Sequence, residues 1–141
     1  MKLGDLIVAG RHVPFRNLFS FTYPDHPDPD LAWAFQVLVS LVYRAGGFPA
    51  IVVAKTLLVC ATVALLWLAC RRRGLGALPS ALALVAAVEA ARPRLVERPH
   101  LVTFVGLGAL ACLLADLEAH PRRWWWIPAL ALGWAQFHAG V

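Results

Sequence analysis

Apolar residues gather in four long runs in the last two thirds of the chain, while prolines and polar residues crowd the first third. Residues 48–70, FPAIVVAKTLLVCATVALLWLAC, hold one charge, Lys55, and are closed by Arg71, Arg72 and Arg73. About 20 residues of helix cross the hydrocarbon core of a bilayer, so this run predicts a transmembrane helix. The competing reading is a very apolar core helix of a soluble domain. Three further apolar runs in fewer than 70 residues disfavour it. They predict helices over 75–91, 100–117 and 124–139. Lys and Arg beside a span are retained on the cytoplasmic side, so the arginine triplet sets the direction. Residues 71–74 and 117–123 are then inside and 92–100 outside, with Trp124 to Trp126 as an aromatic belt at the inner interface.

The first third reads as an outer loop, residues 1–47, with short amphipathic helices lying in the interface. Leu3, Leu6, Ile7 and Val8 give the stretch 3–13 one apolar side. Residues 23–30, YPDHPDPD, predict a turn-rich loop. Asp25, His26, Asp28 and Asp30 suggest a metal at first sight. The alternating prolines hold them extended, which favours a solvated loop over a site, and no metal centre is expected. Residues 31–44 regain helical spacing but are too few to span, and Gly46 and Gly47 end them. No cleavable signal precedes this segment. A tail carrying Lys2, Arg11, Arg16 and Arg44 would have to cross without a helix before it, and the last apolar run reaches Val141 without a polar flank. Both features predict a fragment, truncated at both ends.

Composition agrees with the membrane reading: the chain is 60% hydrophobic and 15% charged, with a mean hydropathy of +0.67. Soluble domains run nearer half apolar and a quarter charged. The net charge of +5 raises nucleic acid as a partner. The basic residues sit at helix ends rather than along one face, which excludes it. Cys60, Cys70 and Cys112 fall in apolar runs at irregular spacing, as small core residues do. The fold class expected is therefore all-α: a polytopic helical protein of the plasma membrane.

The unusual polar residues of the spans share one side. Lys55 lies about two turns inside the first span and Glu89 less than one turn inside the second, both in the outer half. Ionisable groups at such depth are either paired or functional. A Lys55–Glu89 salt bridge and a ligand role both remain open. The outer loop holds Arg92, Arg94 and Arg98, against the positive-inside tendency. Arginine there suits bidentate recognition of phosphate or carboxylate. The alternatives are ordinary phospholipid head groups, or pairing with Glu89 and Glu97. Gln136 and His138 close the outer end of the fourth span.

Val13-Pro14, then Asn17 to Thr22 (NLFSFT), then Trp33 and Gln36 opening a helix, are similar to a bacterial P-x-x-D-x-F-S-[YF]-T … E-W-L-x-[QE]-V pattern. Arg98-Pro99-His100 resembles R-P-[QH] opening a span. Trp134, Gln136, His138 and Gly140 resemble W-x-N-x-H-x-G. Together they resemble the N-terminal part of the C-type glycosyltransferases, integral enzymes of the bacterial inner membrane with polyprenyl-phosphate sugars as donors. Asn17, Ala32 and Gln136 depart from the family's Asp, Glu and Asn. The resemblance implies sugar transfer at the outer face without a cofactor. A carboxylate would deprotonate the acceptor and basic residues would hold the departing lipid phosphate. Lys55, Arg94 and Arg98 are the phosphate candidates, with Glu89, His100, Gln136 and His138 as further polar groups of that face. The register places the family's catalytic acid before Met1. Asp5 is the nearest acid, in a position usually basic, and stands as the fallback. The chain alone is expected to be inactive. A non-enzymatic membrane protein, such as a transporter fragment or assembly partner, is the competing class. A transporter predicts broken helices with polar residues at the midplane.

Overall fold

The computed structural model describes residues 2–16, 18, 27, 31–96 and 98–138. Helix α1 covers Lys2–Gly10, α2 Trp33–Arg72, α3 Ala77–Ala91, α4 His100–Leu117 and α5 Trp126–Ala135, with 3-10 turns at Arg92–Arg94 and Pro121–Trp125. Among the described residues the fold is all-helical, apart from one isolated bridge between Arg16 and Pro27. The proline-rich stretch with Asp25, His26, Asp28 and Asp30 lies outside the described residues, as do Asn17, most of the NLFSFT motif, Glu97 and Gly140.

Helix α2 is two arms. Gly46 (φ −165°, ψ 23°) and Gly47 (φ 63°, ψ −150°) leave helical geometry, and the positive φ of Gly47 is one that side chains resist. Pro49 follows in the first turn of the second arm, where its missing N–H breaks nothing. The rings of Tyr43 and Phe48 meet edge to face across the break, 5.3 Å apart. The first arm then folds back along the second. Phe35, Leu38 and Val42 of one arm line the same crease as Ile51, Lys55 and Leu58 of the other.

Helix α1 rides on the first arm. A Cβ on Gly4 would lie 2.1 Å from the Gln36 carbonyl oxygen, so only glycine permits this approach. Ser40, 1% exposed, gives its hydroxyl to Asp5 at 2.5 Å, and Arg44 closes on the same carboxylate at 2.8 Å.

The second arm of α2 and α4 run parallel in a constant register. Leu101 meets the crease at Lys55 and Leu58, Gly108 meets Thr62 and Leu65, Cys112 donates to the Leu65 carbonyl, and Arg72 reaches the Cys112 carbonyl and Asp116. Helix α5 returns antiparallel along α4, with Trp134 against Gly106. The elements thus meet at two ends. One gathers residues 33–36, 98–103 and 133–138 (the motif end). The other gathers 70–76 and 112–123 (the arginine end).

Helices α2 and α4 are long and apolar enough to cross a membrane, and the most apolar 18-residue window of α2 is 0% buried. A soluble core helix would be covered. Helix α3 keeps Leu78, Leu82 and Val85 at 63–72% exposure, an apolar face of the kind that water disfavours and lipid accepts. Helix α5 is shorter than the apolar run from 124 to 139. Pro121 and the 3-10 turn delay its start, and it ends at Ala135.

Candidate functional site at the motif end

Three stretches far apart in sequence converge at the motif end. Trp33 opens α2, and its indole N–H donates to the Gln136 side-chain oxygen at 3.1 Å. The Ala34 amide donates to the Gln136 carbonyl at 3.2 Å. The first N–H groups of a helix lack intrahelical partners, and Ala32, preceding α2, offers no side-chain cap. Gln136 supplies that cap from across the bundle. Its own amide N–H is anchored on the Leu132 carbonyl at 3.3 Å.

One turn deeper, the Trp134 indole N–H donates to the Thr103 hydroxyl at 3.1 Å, and the same hydroxyl meets His138 Nδ1 at 3.2 Å. Trp134 can only donate, so it occupies a lone pair of Thr103 and leaves the hydroxyl proton available to His138. The Trp134 ring lies on Gly106, where a Cβ would stand 2.8 Å from Cδ2. Thr103 and Gly106 hold this end together, and sequence reasoning missed both. A glycine inside an apolar helix, which often marks close helix approach, was the available signal for Gly106.

The loop before α4 folds onto that helix. His100 Nε2 donates to the Arg94 carbonyl at 2.6 Å and its ring meets Phe104 edge on. Arg94 and Arg98 are exposed. Among the described residues neither has an ion-pair partner, whereas Glu89 takes Arg92, three residues on, at 3.6 Å. Lys55 lines the same crease as Leu101, so the register of α2 on α4 puts it level with the start of α4. Residues 48–54 project past the end of α4, which is why counting from Phe48 places Lys55 deeper than its neighbours do. Lys55, Arg98, His100, Gln136 and His138 therefore share one end of the bundle.

Asp5 stands apart from this group, on α1. The Ser40 hydroxyl and the Arg44 guanidinium hold its carboxyl below the ordinary carboxylate range, against the opposing effect of desolvation. A carboxylate so stabilised is a weak proton acceptor. Below Lys55 and Leu101, an apolar cavity of about 220 Å³ opens between α2, α3 and α4, lined among others by Thr62, Leu84, Val88 and Phe104. Among the described residues no group of three metal-ligating side chains comes together. No family model, curated protein or solved structure matches this chain.

Proposed function

We propose that this chain is a multi-pass plasma-membrane protein of the C-type glycosyltransferase kind. Its motif end faces outward and holds the phosphate of a polyprenyl-phosphate-linked sugar. The observation that carries the reading is the meeting of Trp33 with Gln136, 103 residues apart. It joins two of the three stretches that resemble the family, and the third opens α4 on the same end. In this reading the chain crosses four times, through the second arm of α2, then α3, α4 and the run containing α5. The parallel register of α2 and α4 and the antiparallel return of α5 support that alternation. Lys55, Arg94 and Arg98 stabilise the phosphate as the bond from the anomeric carbon to its oxygen breaks. The acceptor hydroxyl takes the anomeric carbon and gives up its proton to a carboxylate. That role does not fall to Asp5, which Ser40 and Arg44 already occupy. The apolar cavity beneath Leu101 offers room for hydrocarbon beside the charged end.

A transporter reading is less well supported. Its broken helices belong at the midplane, and the only break inside a described helix, at Gly46 and Gly47, lies about 12 Å along the second arm beyond Lys55, at 1.5 Å per residue. The test is binding of a polyprenyl monophosphate to the chain in detergent. Arg98→Lys keeps the charge and loses the planar pair of donors. A charge-assisted contact worth about 1.5–3 kcal/mol predicts roughly 10- to 150-fold weaker binding. Equal affinity of parent and variant would sink the site assignment, and absence of binding by the parent would sink the function.

A further inference from the structure

The second charged region of the molecule is the arginine end, which the glycosyl-transfer reading does not use. Five arginines gather there, Arg71, Arg72, Arg73, Arg122 and Arg123, against two carboxylates, Asp116 and Glu118. The carboxylates do not neutralise them evenly. Asp116, its side chain 16% exposed, is gripped by Arg123, by His120 at 3.3 Å and more loosely by Arg72 at 3.9 Å. Glu118 takes Arg73 at 2.8 Å. These pairs tie the end of α2 to the end of α4 and the 3-10 turn, and they leave two arginines over. Arg71 donates only to the Leu75 carbonyl, a neutral acceptor. Among the described residues, Arg122 has no partner at all.

Beside these cations stand three tryptophans. Trp124, Trp125 and Trp126 are 49–64% exposed, and the last two stack 4.1 Å apart. A 3-10 turn brings side chains three apart into line, so Arg122 and Trp125 share an edge of the Pro121–Trp125 turn. Indole rings sit where headgroups meet hydrocarbon, with one edge wet and one face apolar. Unneutralised guanidinium groups at that level meet headgroup phosphates and favour lipids that carry net negative charge.

We infer that the arginine end is a binding surface for anionic phospholipid headgroups, with Arg71 and Arg122 as its cations and Trp124 to Trp126 as its depth gauge. This rests on the membrane part of the reading above and is independent of the glycosyl-transfer part. A soluble polyanion is the lesser fit, because the tryptophans and the apolar helices continue straight from the charged rim into lipid-facing surface.

The experiment uses the full chain in nanodiscs of phosphatidylcholine containing brominated acyl lipid, whose bromines quench nearby tryptophan. Brominated phosphatidylglycerol and brominated phosphatidylcholine are compared at equal mole fraction. About 1 kcal/mol per basic residue near an anionic surface corresponds to roughly fivefold preference for the anionic lipid per arginine, and about 30-fold for the pair. Arg71→Gln with Arg122→Gln removes most of that preference while the helix content stays unchanged, and raised salt weakens it in the parent. Equal quenching by the two lipids overturns the inference, as does a preference that survives the double substitution. Reversal by millimolar inorganic phosphate at constant ionic strength would show a site for free phosphate and overturn the lipid assignment. A chain that does not enter nanodiscs overturns the membrane reading and this inference together.

Discussion

Replacing Gly106 by Ala tests the packing on which the motif end depends. The added Cβ would lie 2.8 Å from Trp134 Cδ2, closer than real Cβ atoms come, and a tight 3.0 Å from Cε3, so the indole must move. Trp134 is not free to move without loss. Its N–H holds the Thr103 hydroxyl, which in turn meets His138. Overpacking costs about 1–3 kcal/mol, and the lost hydrogen bond adds about 0.5–1.5 kcal/mol. Removing a glycine from a helix interior returns about 1 kcal/mol. Gly133→Ala supplies the control, because a Cβ there meets nothing within 4 Å and the helix-propensity gain is the same. Propensity cancels in the comparison, and Gly106→Ala should be the less stable by about 1.5–4.5 kcal/mol. Denaturant unfolding in bicelles, followed by circular dichroism, measures the gap. Two variants within about 0.5 kcal/mol of each other, the usual scatter of surface substitutions, would refute the close contact of α4 and α5.

Three further predictions concern Thr103, Asp5 and Arg98. Thr103→Val removes the acceptor for Trp134 and the partner of His138, costing about 1–3 kcal/mol, while Thr103→Ser keeps the hydroxyl and most of the stability; equal loss in both would mean that the hydroxyl does nothing. The Asp5 carboxyl has its folded pKa below the ordinary 3.8, so its contribution to seating α1 is present above that value and is lost as pH falls through the lower, folded one. Spin labels on α1 and on the first arm of α2 should therefore hold their separation down to about pH 4 and part only in stronger acid; separation near neutrality would contradict the Ser40 and Arg44 contacts. For Arg98, the lysine substitution described above should weaken polyprenyl-phosphate binding roughly 10- to 150-fold.

How much of this was legible beforehand depends on the range of the forces involved. The α4 bounds were readable, since Pro99 precedes the helix and the charges at Asp116 and Glu118 mark its end, and the helix observed is His100–Leu117. The Gly46-Gly47 break was equally plain, because two adjacent glycines weaken any helix. That the first arm folds back along the second was not readable, and neither was the register of α2 on α4 that sets Lys55 level with Leu101. Nor could periodicity pair Trp33 with Gln136 across 103 positions. Thr103 and Gly106 were lost in an apolar run, where a hydroxyl and a missing methyl change the pattern little. The capping role of Gln136 also gives a reason for Gln where the W-x-N-x-H-x-G pattern it resembles has Asn. The longer side chain reaches Trp33, while its amide N–H stays on the Leu132 carbonyl.

The claim beneath the others is that the motif end and the arginine end lie on opposite sides of a membrane. Leu18, 54% exposed, precedes α2 on the side assigned to the outside, and Ala119 is exposed in the turn after α4. Each is replaced by cysteine in a background where Cys60, Cys70 and Cys112 are alanine. Intact cells are then treated with a membrane-impermeant maleimide. The account predicts labelling at position 18, and at position 119 only after the membrane is opened. Labelling at 119 but not at 18 in intact cells would reverse the orientation, and labelling at both would contradict a membrane between the two ends.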